Sequence, residues 1–261
     1  LAWGQGGDDD AFREQELLMK TDNREQAQAV IEAVRRLAAH YGLWFAGAVE
    51  RFGVDKALDM EREAGDRASA IMVDRLCTIL DAEQEDGLPK ALTGLAPETL
   101  SKLVEGLAVN WLAMDGVWFQ AVETREGMTA AKAVNDGCWA VFSPLEGARI
   151  KATQDLPPEG GLRALAETFR HRLYGVVNEQ ETFFEEDGAL VMRMTKCRVQ
   201  AARQRKGLPD YPCKSGGMIE YTTFAAAIDK RITCECIACP PDPHPADYFC
   251  AWRFRLTEDT P

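Results

Sequence analysis

Apolar residues recur every three or four positions between Glu25 and Arg51, with Val30, Val34, Leu37, Tyr41 and Trp44 on one stripe, and the same period returns from Pro97 to Arg125. That spacing predicts two long amphipathic helices, because it gathers the apolar side chains on one helical face. Each stretch ends beside a glycine, Gly53 or Gly127. Val54 to Leu80 and Met128 to Phe142 then restart the period as second helices. When the chain is slid 74 residues along itself, Gly42-Leu43-Trp44-Phe45 falls on Gly116-Val117-Trp118-Phe119. Ala39 then meets Ala113, Val54 meets Met128, and Ala57 meets Ala131, which predicts two related helical units over about 25–82 and 97–152.

Between the units, Glu83 to Gly94 reads as a connector. The sequence Asp155-Leu-Pro-Pro-Glu-Gly-Gly161 is the predicted domain boundary, since paired prolines and glycines do not continue a helix. Beyond it the period shortens. Leu162 to Tyr174 predicts a helix, and Val176 to Glu186 and Ala189 to Cys197 flank Asp187-Gly188 as a hairpin, with Leu190, Met192 and Met194 on one face. Arg198 to Lys206 and Gly217 to Ile228 read as helices, and Arg231 to Ala238 and Tyr248 to Leu256 as two further strands. The expected fold class is α+β. A helical domain over 11–155 precedes a small antiparallel-sheet domain over 156–261, and residues 1–10, rich in glycine and aspartate, are expected to form a mobile leader.

At 261 residues the chain has room for two domains, and no apolar run approaches the ~20 residues of a membrane span. The formal net charge of -12 repels phosphate backbones and argues against nucleic acid as a partner. No stretch with the features of a signal peptide opens the sequence, so the expected location is cytoplasmic. A small-molecule ligand and a second copy of the chain, as a homodimer, are the candidate partners.

In a reducing compartment clustered cysteines more often serve as metal ligands or reactive thiols than as disulfides. Six of the eight cysteines, Cys197, Cys213, Cys234, Cys236, Cys239 and Cys250, fall in the last third. Cys236-Ile-Ala-Cys239 offers two thiolates on one turn, and Cys213 and Cys250 complete a candidate tetrahedron for zinc, with Cys234 and Cys197 as substitutes. An iron–sulfur cluster uses the same four-thiolate donor set, and buried cysteines acting as small apolar side chains are the third reading. His244, between two prolines, is a weaker ligand candidate.

The stretches Cys197-Arg-Val-Gln, Gly207-Leu-Pro-Asp-Tyr-Pro-Cys213, Cys236 to Cys239 with Pro-Pro-Asp-Pro-His-Pro, and Tyr-Phe-Cys250-Ala-Trp-Arg-Phe together resemble a bacterial family of unknown function. That family also carries the Asp-Gly-x-Trp-Phe word at Asp115 to Phe119. The C-terminal part is similar to the L-2-amino-thiazoline-4-carboxylate hydrolase family and to the 4-vinyl reductase domain of small-molecule sensors. The latter resemblance implies metal ligation by Cys213, Cys239 and Cys250, with Cys236 standing where zinc-containing members of that group carry an acidic residue. The former implies a hydrolase acting on a small carbon–nitrogen or thiazoline-like substrate.

Trp44, Phe45, Trp118, Phe119 and Trp139 are candidate walls of a ligand pocket, with core packing as the alternative. Asp115 sits in an apolar helix, with Asn110 read as nearly on the same face. A buried carboxylate there needs a partner or a raised pKa, which makes the pair a candidate site. Trp44, Asn110, Asp115, Trp118 and Phe119 are therefore the expected ligand contacts, and Asp115 and His40 the candidates for acid–base work. Cys138 is a candidate nucleophile only if a base approaches, and His171 sits among cations. No Gly-rich phosphate loop, serine-nucleophile motif or two-histidine zinc helix occurs.

Overall fold

A computed structural model describes residues 22–207 and 209–257, and the leader expected at 1–10 lies outside them. Contacts divide the chain into two compact units, Leu1–Gly53 and Val54–Pro261. Among its described residues the first unit is one helix, α1 (Asn23–Phe52), begun by Asp22, whose carboxylate accepts a hydrogen bond from the Arg24 amide.

The second unit opens with α2 (Val54–Ile79), followed by a two-residue-stranded ribbon, β1 (Gln84–Glu85) and β2 (Leu88–Pro89), and the short helix α3 (Lys90–Thr93). The expected connector thus carries structure of its own. Helices α4 (Pro97–Glu126) and α5 (Met128–Thr153) come next. The lengths repeat: α1 and α4 span 30 residues each, and α2 and α5 span 26 each. One glycine separates each pair, with φ 81° and ψ 161° at Gly53 and φ 84° and ψ 170° at Gly127. Such a positive φ suits glycine and strains other residues, so these two positions fix where each helix stops.

Helix α5 runs past the expected end at Phe142 to Thr153, carrying Pro144 inside it. Its last turns are held by packing on a later helix, α9 (Lys214–Ile228). A Cβ on Gly147 would stand 3.0 Å from the Ala227 methyl and 3.2 Å from the Phe224 carbonyl, so the two helices meet nearly backbone to backbone there. The helix expected over 162–174 is instead two, α6 (Gly161–Phe169) and α7 (Leu173–Val177). The break has a packing cause. It lets Arg172 turn inward, where it is 1% exposed, and Gly175 sits where a Cβ would lie 2.3 Å from the Phe169 carbonyl oxygen.

Strands β3 (Glu179–Phe184) and β4 (Leu190–Lys196) form the hairpin that Asp187-Gly188 predicts. Gly188 takes φ 83°, its amide donates to the Glu185 carbonyl, and the Asp187 carboxylate accepts from the Ala189 amide. After α8 (Arg198–Arg205) and α9, strands β5 (Ile232–Ala238) and β6 (Cys250–Leu256) complete an antiparallel sheet in the order β3-β4-β6-β5. Register explains the cysteines. Cys236 lies opposite Trp252, which lies opposite Met192; Cys234 lies opposite Phe254, which lies opposite Leu190; Cys250 pairs with Met194. Directly opposed residues share a face, so these cysteines join the side of the sheet that builds the core with Leu165, Phe169 and Phe224. No helix among the described residues is long and apolar enough to cross a membrane.

Candidate functional site

Where α4, α5, α7, α8 and α9 meet the inner face of the sheet, a cavity of about 670 Å³ opens within the second unit. That is the size range of small-molecule sites. Helix α4 supplies Asp115, Gly116 and Phe119, spaced so that they follow one side of the helix, and α5 supplies Lys132, Asn135 and Trp139. Tyr174 enters from α7. Its ring stacks on Trp139 at 5.5 Å and meets Trp111 edge-on at 5.1 Å, so this wall is a block of mutually packed aromatics.

The opposite wall is held by one buried side chain, Gln200, which is 1% exposed. Its amide nitrogen donates to the Tyr211 carbonyl at 2.9 Å and lies 3.2 Å from Cys213 Sγ, while its oxygen accepts from the Tyr211 amide at 2.8 Å. The loop before α9 is thereby pinned with Tyr211 and Cys213 toward the cavity. The Lys214 amide donates to the Pro240 carbonyl, and His244 Nε2 lies 3.1 Å from Asp210, which ties this loop to the one after Cys239. Gly217 sits where a Cβ would come 2.6 Å from the Trp252 ring, so glycine lets the indole lie against the first turns of α9. Trp252 Nε1 finds no acceptor among the described residues.

Cys197, Cys213, Cys239 and Cys250 all line the cavity. The Cys239 and Cys250 thiols are hydrogen-bonded, and this contact, with burial and the neighbouring thiols, holds the Cys239 proton far more tightly than usual. Burial, then the charges of Cys197 and Cys250, pushes Cys213 well up, and burial pushes Cys197 up to about 11. Cys236 lies near the group and is influenced by Cys250 and Lys214, but it is outside the cavity lining. Cys234, raised to about 12 by burial, bonds Thr222. Among the described residues no group of three or more His, Cys, Asp or Glu side chains is arranged to hold a metal ion.

Three buried charges flank the cavity. Arg172 Nε donates to Glu146 Oε2 at 2.8 Å, and its Nη2 lies 2.7 Å from Glu220 Oε1. Glu146 also accepts the Leu173 amide, whereas Glu220 Oε1 has an ion-pair contact but no aligned hydrogen bond. Glu220 lines the cavity. Burial raises its pKa to about 7, against the lowering effect of Arg172. The sign follows from proton counting: between the ordinary 4.5 and about 7 the folded state holds a proton that the unfolded chain has released. Stability should therefore fall as pH rises through that window, and Glu220→Gln should flatten the decline in urea midpoint measured from pH 4.5 to 7.5.

Of the ligand contacts expected from the sequence, Asp115 and Phe119 reach the cavity. Asp115 is raised by burial, accepts from Asn135 Nδ2 at 3.4 Å and feels the opposing charge of Lys132. Asn110 is exposed and outside the lining. Five residues from Asp115 on a helix of about 3.6 residues per turn, it points well away, which corrects the shared-face reading. Trp118 is 67% exposed and also turned away. Trp44 is 72% exposed and belongs to the other unit, as does His40, whose ring lies 6.3 Å from it. Cys138 is exposed, and its thiol is raised first by burial of its sulfur and then by Asp115, which opposes a nucleophilic role. The sequence carries one unread signal for the cavity: Glu220 is the sole charged residue between Lys214 and Asp229.

The chain matches DUF6125, a family of unknown function, over residues 20–96 and 93–256, and it belongs to that family. No curated protein and no solved structure matches it.

Proposed function

We propose that the protein binds a small molecule in this cavity and carries zinc on the cysteine wall as a structural ion. The observation that supports the first part most directly is the cavity itself, whose aromatic walls and few polar groups are typical of a ligand site. Gly116 offers a clean test. It lines the cavity, and a Cβ there meets nothing within 4 Å, so Gly116→Phe starts its side chain in open space and also removes a mid-helix glycine; native near-ultraviolet circular dichroism checks that the ring is accommodated. The variant should fold with unchanged or slightly higher stability and lose the melting-temperature shifts that a metabolite library induces in the unaltered protein. Shifts retained in full by the variant would count against this cavity.

The donor chemistry supports zinc. Thiols that raise one another's pKa are a set that a divalent cation would stabilise as thiolates. Cys213, Cys239 and Cys250 are the ligands we assign, with Cys197 or Cys236 as the fourth and Cys234 less suited. The resemblance of the cysteine stretches to 4-vinyl reductase domains, read from the sequence alone, would imply the same three, and an iron–sulfur cluster is the alternative occupant. The equal lengths of the helix pairs around Gly53 and Gly127 support two copies of one helical unit ahead of this domain.

A second reading, a hydrolase for a small carbon–nitrogen or thiazoline-like substrate, is favoured by one observation. Asp115 and Glu220 both face the cavity with raised pKa values, as proton-transfer groups do. Turnover of cyclic thiazolines by the full chain, abolished in Asp115→Asn, would support it. Turnover untouched by that substitution would remove Asp115 from the mechanism.

A further inference from the structure

Charge around the inner end of the cavity is unbalanced. Four carboxylates, Asp115, Asp136, Glu146 and Glu220, face two cations, Lys132 and Arg172. Both cations are engaged. Lys132 Nζ pairs with Asp136 Oδ1 at 3.1 Å, and Arg172 gives its aligned hydrogen bond to Glu146. Asp115 is left with an amide contact at 3.4 Å, and Glu220, 2.7 Å from Arg172 Nη2, shares that one guanidinium with Glu146. Glu220 is more than nine-tenths buried, and one guanidinium shared by two carboxylates leaves negative charge only partly compensated there, which is costly.

Of the other cations of the lining, Arg198 at the start of α8 and Lys206 just past its end are exposed, and Arg203 donates to the Pro209 carbonyl at 2.6 Å. The cavity lining that holds both carboxylates also includes Trp139, Tyr174 and Tyr221, and ring faces attract cations. We propose that the inner end of the cavity binds a small organic cation through its N–H donors, seated between Asp115 and Glu220 and enclosed by Trp139, Tyr174 and Tyr221. This inference rests on the reading of the cavity as a ligand site and adds the chemical class of its ligand.

Three near-isosteric probes separate the possibilities by calorimetric titration of the full chain: tryptamine, a cation; tryptophol, neutral; and indole-3-propionate, an anion. Tryptamine should bind about tenfold or more tightly than tryptophol, the scale of one charge-assisted hydrogen bond. Asp115→Asn and Glu220→Gln, each checked for native near-ultraviolet circular dichroism, should bring tryptamine down toward tryptophol. Equal or tighter binding of tryptophol or indole-3-propionate would overturn the cation preference and leave the small-molecule reading standing. Tryptamine binding that ignores both substitutions would overturn the seat proposed here. Failure of all three probes to bind would overturn the inference, while the ligand reading would still be decided by the library shifts and their loss in Gly116→Phe.

Discussion

Arg172→Met should lower the free energy of unfolding by about 3–5 kcal/mol, the cost of breaking one member out of a buried ionic group. The cause lies in what stays behind. Glu146 loses its 2.8 Å partner and keeps the Leu173 amide, while Glu220 loses the guanidinium 2.7 Å from it. The guanidinium also lies 4.3 Å from the centre of the Phe224 ring, so part of the loss is packing that methionine restores. Replacing all three charges, by Glu146→Leu, Arg172→Met and Glu220→Leu together, should recover most of that stability, because the uncompensated carboxylates are then gone. Urea midpoints of the single and triple variants measure the difference. A single variant within about 1 kcal/mol of the unaltered chain would mean that the group is not as buried as it stands here.

Cys239→Ser should be the most damaging of the cysteine substitutions. Cys239 is 0% exposed, bonds the Cys250 thiol and follows the end of β5, so zinc there would join β5, β6 and the start of α9. In that case metal affinity is folding free energy, and loss of a ligand should lower the melting temperature by well over ten degrees, with loss of the ion. Cys77→Ser is the control. Cys77 is buried in α2, away from the cluster in sequence, and its replacement should cost about 1 kcal/mol. Equal effects from the two would point to buried cysteines acting as small apolar side chains.

The elements were legible where one period ran unbroken. Helices α1, α2 and α4, and the four strands of the sheet, announce themselves through spacing and through Gly53, Gly127 and Asp187-Gly188. The errors fall where a tertiary contact overrides the local signal. The helix expected to end at Phe142 continues through Pro144 because α9 packs on the turns beyond it; Arg170 to Arg172 reads as helix, yet the chain turns there to bury a guanidinium. The site was half legible. Asp115 and Phe119 stood out as polar and aromatic residues of one helix, and the cysteines by their spacing. Glu220, Arg172, Tyr174 and Tyr211 did not, since what brings them together is long-range: the register of β4 and β6, the close approach at Gly147, and the Gln200 staple.

The metal carried by the full chain, purified without oxygen, tests the central claim most directly. Elemental analysis beside a visible spectrum should find about one zinc per chain and no colour, as expected for one four-thiolate site. A brown protein containing iron and sulfide would replace zinc with a cluster, and a chain free of both metals, with all its thiols open to titration, would contradict the metal site altogether.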